Sequence, residues 1–203
     1  MNSPLLLPAF YLPPVSYFHA IKKHPSETLL LEKYEHYAKQ SYRTRAKIAT
    51  ANGVLDLIVP IVHGRKERVA VKDIRINYEH DWQRLHWMSL QTAYRSSAYF
   101  EYYEDDFRQF YNREHAFLLD FNIAQLQLIL KCLKLNKTIA YTDAYASAPT
   151  DVDLREAIHP KQGNFWPAQA AYYQVFEERH GFLPDLSVVD LLFNQGPQSK
   201  NFL

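Results

Sequence analysis

The chain has 203 residues, a length that suits one domain with a sizeable core, and its 47% apolar composition is that of a folded protein. Its 23 basic residues nearly balance 22 acidic ones, which argues against nucleic-acid phosphate as the main partner. Cys132 is the only cysteine, so an intrachain disulfide is excluded. The start of the chain lacks a basic signal region, and no apolar run approaches a membrane span. We expect one cytoplasmic domain over 1–203.

The first quarter of the chain predicts two short strands around a helix. The apolar run from Leu5 to Tyr11 predicts a strand that ends before Pro13-Pro14. A helix is expected from Val15 to Lys22, because prolines are tolerated in a first helical turn. Thr28–Glu32 predicts a second strand.

Residues 42–62 predict a β-hairpin, because two alternating segments flank Asn52-Gly53, a dipeptide typical of two-residue turns. Side chains alternate along a strand, so Arg43, Arg45 and Lys47 are expected on the face opposite the apolar one. Pairing outward from the turn predicts three opposed pairs: Ile48 with Leu57, Ala46 with Val59, and Thr44 with Ile61.

The rest of the chain is predicted to be mostly helical. Asp81 is a predicted helix cap, and Ser187 opens a predicted capping box that gives Asp190 a structural role. The region 144–163 is expected to be a long loop. The sequence therefore predicts an α+β fold, with an N-terminal mixed β-sheet that includes a hairpin and a mostly α-helical C-terminal half packed on it. The expected elements are strands at Val69–Ile76 and Thr138–Tyr141 and helices at 82–97, 100–111, 116–135, 167–181 and 187–196.

Several segments taken together resemble the WbqC-like family of bacterial proteins. The order and joint presence of the segments carry the resemblance, which covers nearly the whole chain. Two positions depart from the family: Pro8-Ala9 stands where many members have Gln-Pro, and Gln195 stands where an acidic residue is common. The resembling segments are 7–18, 34–45, 85–87, 98–100, 153–161, 173–176 and 180–193.

The resemblance implies a role in O-antigen or other surface-polysaccharide biosynthesis, with a sugar-modifying transferase as the expected activity. An anionic small-molecule substrate, phosphorylated or nucleotide-activated, would fit such a role. Tyr11 and Tyr17 lie in the first resembling segment and are expected to contribute to substrate binding, since tyrosine suits the walls of polar pockets. The alternative is a non-catalytic binding or scaffold protein of a polysaccharide-synthesis complex.

The best candidate anion site is the basic strand face of Arg43, Arg45 and Lys47, with Lys39 just upstream. Guanidinium groups pair bidentately with phosphate or carboxylate, which favours this face as a substrate-binding surface. A solvated strand face is the alternative interpretation of the same residues.

Histidines and a charged loop supply the candidate catalytic groups. A neutral imidazole is the natural general base near pH 7, and His86 and His159 both lie in resembling segments. Glu156 lies beside His159 and is a candidate acid, while Arg155 and Lys161 are candidate anion clamps. This hypothesis requires the loop that carries His159 to contact the basic hairpin; otherwise the loop is a charged surface turn.

Other classes of site find no support in the sequence. We predict no metal site, because no histidines and cysteines have the spacing of structural zinc ligands. The chain contains neither a dinucleotide-binding nor a Walker glycine motif, and no serine motif of the nucleophile-elbow type. The sequence identifies no cofactor. It also leaves the oligomeric state open.

Overall fold

A computed structural model describes residues 4–62, 69–146, 153–161 and 169–203. The strands are β1 (Leu5–Leu7), β2 (Thr28–Leu31), β3 (Arg45–Thr50), β4 (Gly53–Ile58) and β5 (Thr138–Tyr141). The α-helices are α1 (Val15–Lys23), α2 (Trp82–Tyr94), α3 (Phe100–Arg108), α4 (Leu118–Cys132), α5 (Glu177–His180) and α6 (Val188–Gln195). Two 3-10 helices span Val71–Asp73 and Gly196–Phe202.

The strands form two separate sheets. One is a three-stranded parallel sheet in the order β1-β2-β5, and the other is the antiparallel hairpin β3-β4. Helix α1 connects β1 to β2, which is the crossover that a parallel pair requires. The predicted α+β class is confirmed, with the parallel and antiparallel pairings in different sheets.

The hairpin register is shifted by two residues from the prediction. Ala46 pairs with Leu57 and Ile48 with Leu55, and Ala51-Asn52 form the two-residue loop. Gly53 supplies the positive φ of 103° at the end of this turn. A shift of two keeps every side chain on its predicted face, so the apolar face still enters the core.

Two predicted elements are wrong. The expected strand at 69–76 is instead a 3-10 turn flanked by isolated bridges to three segments, through Ala70, Arg75 and Ile76. Only 177–180 of the expected helix at 167–181 is helical, while 169–176 has no regular secondary structure and the start, including Pro167, lies outside the described residues. Tyr172 and Gln174 in this segment both donate hydrogen bonds to Asp190.

Helix α6 begins as predicted after Ser187, whose hydroxyl accepts a bond from the Val189 backbone. The Asp190 side chain does not complete a capping box. Its carboxylate, with no exposed surface, accepts hydrogen bonds from Tyr94, Tyr172 and Gln174. Burial raises the pKa of Asp190 to about 6, because its three donors are uncharged and oppose the shift only in part. Asp190 therefore joins α2, α6 and the segment 169–176.

Cys132 is the last residue of α4. Its side chain is half-buried, and burial raises the pKa of the thiol to about 11. A thiol with so high a pKa is a poor nucleophile at neutral pH.

Candidate functional site

The carboxyl ends of the three parallel strands meet at one edge of their sheet. Asp153 extends this edge, because it forms a parallel bridge with Leu6 of β1. Glu32 directly follows β2 and Thr142 directly follows β5. In open sheets of this kind, ligands bind in the crevice outside the carboxyl ends of the strands. We therefore define the candidate site as this edge and the segment 153–161.

Glu32 organises the centre of the edge. Its carboxylate is fully buried and accepts bonds from the backbone N–H groups of Tyr34, at 2.8 Å, and Ala146, at 2.9 Å. The Thr142 hydroxyl donates to it at 2.9 Å, and Arg155 lies farther away at 3.4 Å. Because three other donors satisfy Glu32, the carboxylate does not depend on Arg155.

Arg155 is held mainly by Asp153. Its Nη2 lies 2.6 Å and its Nε 3.0 Å from the Asp153 carboxylate, and the guanidinium lies 5.1 Å from the centre of the Tyr145 ring. Burial alone would raise the pKa of Asp153, but the bonds from Arg155 hold that pKa below its ordinary value. The side chain of Arg155 is only 10% exposed.

Arg43 is buried in an ion pair and does not share the exposed strand face predicted for it. Its Nε and Nη2 donate to the two carboxylate oxygens of Glu35 at 2.8 and 2.5 Å. Burial raises the pKa of Glu35, although the guanidinium opposes this shift. Arg43 Nη2 also donates to the backbone carbonyl of Arg155 at 3.3 Å. Arg43 thus supports the segment that carries Arg155.

The segment 153–161 contacts the hairpin, as the sequence hypothesis requires. Lys47 Nζ donates to the Pro160 carbonyl at 3.1 Å, in addition to the bond between Arg43 and Arg155. His159 is partly exposed, and its Nδ1 accepts a bond from the Lys161 backbone at 3.2 Å. The imidazole proton of the neutral form is therefore on Nε2. Both Glu156 and Lys161 are exposed beside it.

Asp185 is a neighbouring residue that the sequence analysis did not single out. Its carboxylate accepts bonds from the Ser16 backbone, at 2.8 Å, and the Ser16 hydroxyl, at 3.0 Å, in the first turn of α1. Burial raises the pKa of Asp185, and the nearby Lys47 opposes the shift. Its φ of 54° is unusual for a residue other than glycine. Its place inside a resembling segment, directly after Pro184, was the available signal.

His86 lies in a buried hydrogen-bonded group with two tyrosines. Tyr11 Oη lies 2.9 Å from both His86 Nδ1 and Tyr111 Oη. The backbone of Ile58 raises the pKa of the His86 ring, but this effect is smaller than that of burial. Burial lowers the pKa of His86 to about 4. Its role as a base stays a prediction, and Nδ1 is already engaged by Tyr11.

The remaining predicted residues lie outside the contact between hairpin and loop. Arg45 pairs with Asp56 at 3.0 Å, and Lys39 is exposed. Tyr17 is fully buried and donates to the Pro8 carbonyl at 2.9 Å. No hydrogen bond among the described residues joins Lys39, Arg45 or His86 to 153–161. Their substrate-binding and catalytic roles stay predictions.

Neither a metal-binding cluster nor a membrane-spanning helix occurs in the part of the chain that the structure describes. That part contains no group of three or more histidine, cysteine and acidic side chains arranged to hold a metal ion. No helix within it is long and apolar enough to cross a membrane.

Two cavities, of 570 and 340 Å³, lie against the outer face of α2, and the candidate site residues line neither.

Comparison with known proteins identifies the family. The chain is 25% identical to the "Uncharacterized protein Rv1507c" of Mycobacterium tuberculosis over 230 aligned residues, which cover 100% of this chain and 98% of that protein. No solved structure matches the chain. The model of the WbqC-like protein family matches residues 9–165, which include the strands of both sheets from β2 to β5 and most of the candidate site. The chain therefore belongs to the WbqC-like protein family.

Proposed function

We propose that the candidate site binds an anionic sugar substrate, phosphorylated or nucleotide-activated, and that the protein is a sugar-modifying transferase of O-antigen or surface-polysaccharide biosynthesis. The observation that carries this proposal is the bond between Lys47 and Pro160, which brings the cationic hairpin to the segment with His159. The position of this segment beside β1, at the carboxyl end of parallel strands, supports the proposal further.

The cations at the site divide into buried and accessible ones. Arg43 is neutralised by Glu35 and supports the Arg155 backbone, so we assign it a positioning role. Lys47 is partly exposed and Lys161 is exposed, which leaves their ammonium groups available to a phosphate. Arg155 stays bound to Asp153, and releasing its long 3.4 Å bond to the well-satisfied Glu32 would free its Nη1 for an anion.

His159 is the base in the proposed reaction. Its Nδ1 would exchange the Lys161 backbone for the hydroxyl proton of an acceptor, while the acceptor oxygen forms a bond to the transferred group. The bond from that group to the phosphate oxygen breaks, and the phosphate departs with the electron pair. The cations nearby would stabilise the departing negative charge. Glu156 is exposed beside His159, where it can return a proton.

A thermal-shift screen tests this proposal. The probes are UDP-glucose, dTDP-glucose, inorganic pyrophosphate and phosphate, each added to wild type, Lys47→Met, Lys161→Gln and the control Lys72→Gln. Lys72 is a surface lysine that is paired with the adjacent Asp73, and it belongs to neither the hairpin nor the segment 153–161. A saturable rise in melting temperature that is smaller in Lys47→Met and Lys161→Gln than in wild type, but unchanged in Lys72→Gln, would support the proposal. No shift with any probe, or an equal shift in all variants, would contradict it.

A non-catalytic scaffold is the second candidate function, and an exposed apolar surface favours it. Leu85 and Met88 of α2 are 54% and 48% exposed next to the larger cavity. Exposed apolar patches on a folded protein often mark sites of protein association. Binding of a sugar nucleotide without any transfer of its sugar, together with a stable protein complex, would favour this alternative.

A further inference from the structure

The β-hairpin has two outer edges, and its register determines which backbone groups they present. Val59 donates to the Thr44 carbonyl, so residues 53, 55 and 57 of β4 direct their N–H and C=O groups to β3. The alternate residues Val54, Asp56 and Ile58 direct theirs outward. The same rule places the groups of Lys47 and Ala49 on the outer edge of β3.

The outer edge of β3 is covered by other elements. The Ala49 N–H donates to the Tyr94 hydroxyl at 3.2 Å, and the Lys47 carbonyl accepts from the Ser187 N–H at 2.8 Å. This edge therefore offers few free groups to another strand. It also faces the candidate site, since the Lys47 side chain reaches Pro160.

The outer edge of β4 is covered only at one end. The Asn77 N–H donates to the Pro60 carbonyl just beyond the end of β4, but no backbone bond among the described residues reaches the outward groups of Val54 or Asp56. These two residues lie on either side of Leu55 and together offer two N–H and two C=O groups. An exposed apolar edge of this kind is a template for pairing with another strand.

The surface around this open edge is mainly apolar, and Arg84, which contacts Met88, is paired with Asp81. A cavity of 570 Å³ lies between the edge and α2, and no charged side chain lines it. Asp56, the one carboxylate of the open stretch, is neutralised by Arg45 at 3.0 Å. The large apolar side chains around the edge are all about half exposed: Val54 50%, Leu55 38%, Leu85 54% and Met88 48%.

We propose that a second copy of this chain pairs with the Val54–Asp56 stretch, antiparallel and around a two-fold axis at Leu55. A two-fold axis brings the same patch of both copies together. It sets Val54 opposite the partner's Asp56 and Asp56 opposite the partner's Val54, which uses all four open groups of each edge. Leu55 then lies directly opposite the partner's Leu55.

The charge of the patch favours a second copy as the occupant. A two-fold axis places each surface charge near its own image, so a charged patch would repel its copy while a neutral one does not. The dimer joins two hairpins into a four-stranded antiparallel sheet and buries Leu85 and Met88 near the axis. Because β3 faces the candidate site and β4 forms the interface, both candidate sites stay open in the dimer.

A cysteine cross-link tests the predicted axis. Directly opposite residues of a non-hydrogen-bonded antiparallel pair have Cα atoms about 4.5 Å apart, which a disulfide can span. Leu55→Cys in a Cys132→Ser background should form a covalent dimer on mild oxidation. The matched control is Val62→Cys in the same background, a 49% exposed residue away from the cavity lining. Equal or no cross-linking of the two variants would overturn the proposal.

Sedimentation equilibrium gives an independent test of the whole protein. Wild type should show a reversible monomer-dimer equilibrium in the micromolar range, and Leu55→Lys and Leu85→Glu should each weaken it at least tenfold. Val62→Lys should leave it unchanged, and circular dichroism would verify that all variants are folded. A wild type that is monomeric throughout this range, or a dimer that Leu55→Lys leaves intact, would show that the edge serves another partner or none.

Discussion

Glu35 and Arg43 form a bidentate ion pair in the interior, with their side chains 8% and 5% exposed. The pair lies directly behind Arg155, whose carbonyl accepts a bond from the same guanidinium. A surface strand residue would have served as an anion ligand, whereas this buried arginine already has its anion. Arg43 therefore positions the backbone of Arg155 and has no need to contact substrate.

Removing one partner of this pair should be strongly destabilising. Arg43→Met leaves the Glu35 carboxylate buried without its cation, which typically costs about 3–5 kcal/mol. The control is Arg84→Met, which removes a surface arginine whose side chain is 62% exposed and pairs with Asp81. Such exposed pairs contribute at most about 1 kcal/mol. Urea denaturation measures both, and equal losses would contradict the proposed role of the buried pair.

Asp190 should make stability fall as pH rises from about 4 to 6. Its pKa is raised to about 6 in the fold, so the folded state holds this proton in a range where the unfolded chain has released it. The loss should be on the order of 2–3 kcal/mol. Asp190→Asn should flatten this part of the pH profile of the unfolding free energy. Asp105→Asn, at an exposed position, is the control, and a wild-type slope in Asp190→Asn would refute this prediction.

Gly196 should tolerate alanine less well than Gly181. Both glycines have positive φ, 51° and 68°, so alanine is strained at either position. A Cβ at Gly196 would lie 2.4 Å from the Tyr99 ring, whereas a Cβ at Gly181 would have nothing within 4 Å. Gly196→Ala should therefore lose about 1–3 kcal/mol more than Gly181→Ala. Thermal unfolding of the two variants measures the difference, and equal losses would exclude the clash.

The imidazole of His86 should stay neutral down to about pH 5. Its pKa is lowered to about 4 by burial, against about 6.5 in an unfolded chain. The contribution of His86 to folding stability should consequently fall as the pH drops from 6.5 towards 4, because the unfolded state gains a proton that the folded state resists, and this contribution opposes that of Asp190 over the shared range. Ring resonances followed by NMR measure the titration directly. A midpoint near 6.5 would contradict the buried arrangement with Tyr11.

Local patterns in the sequence predicted most of the elements. Proline before Val15, the caps at Asp81 and Ser187, and the helical period of α4 are signals carried by nearby residues. Their predictions hold because the physics that sets helix ends is local. The hairpin turn was placed one residue too late, which shifts the pairing register by two, because Gly53 supplies the positive φ at the end of the turn and Asn52 has none.

Long-range contacts explain what the sequence did not predict. Glu35 and Arg43 are only eight residues apart, but the arginine also contacts the Phe10 ring and the segment 153–161, which are distant in the chain. Pro167 and Gly181 predicted a helix across the region 169–176, yet Tyr172 and Gln174 there donate hydrogen bonds to Asp190. Asp185 lacked any chemical motif, and only the folded chain sets it against Ser16. Tertiary partners override local propensity at each of these positions.

Chemical-shift mapping with a sugar nucleotide tests the central claim most directly. UDP-glucose, and dTDP-glucose in a second series, would be titrated into ¹⁵N-labelled protein while backbone amide shifts are followed. We predict saturable shifts concentrated at 153–161, at Lys47 and at Ser16, with little change at Leu85 and Met88 of α2. Shifts confined to the α2 surface, or none at millimolar ligand, would contradict the assignment of the substrate site to the carboxyl edge of the parallel sheet.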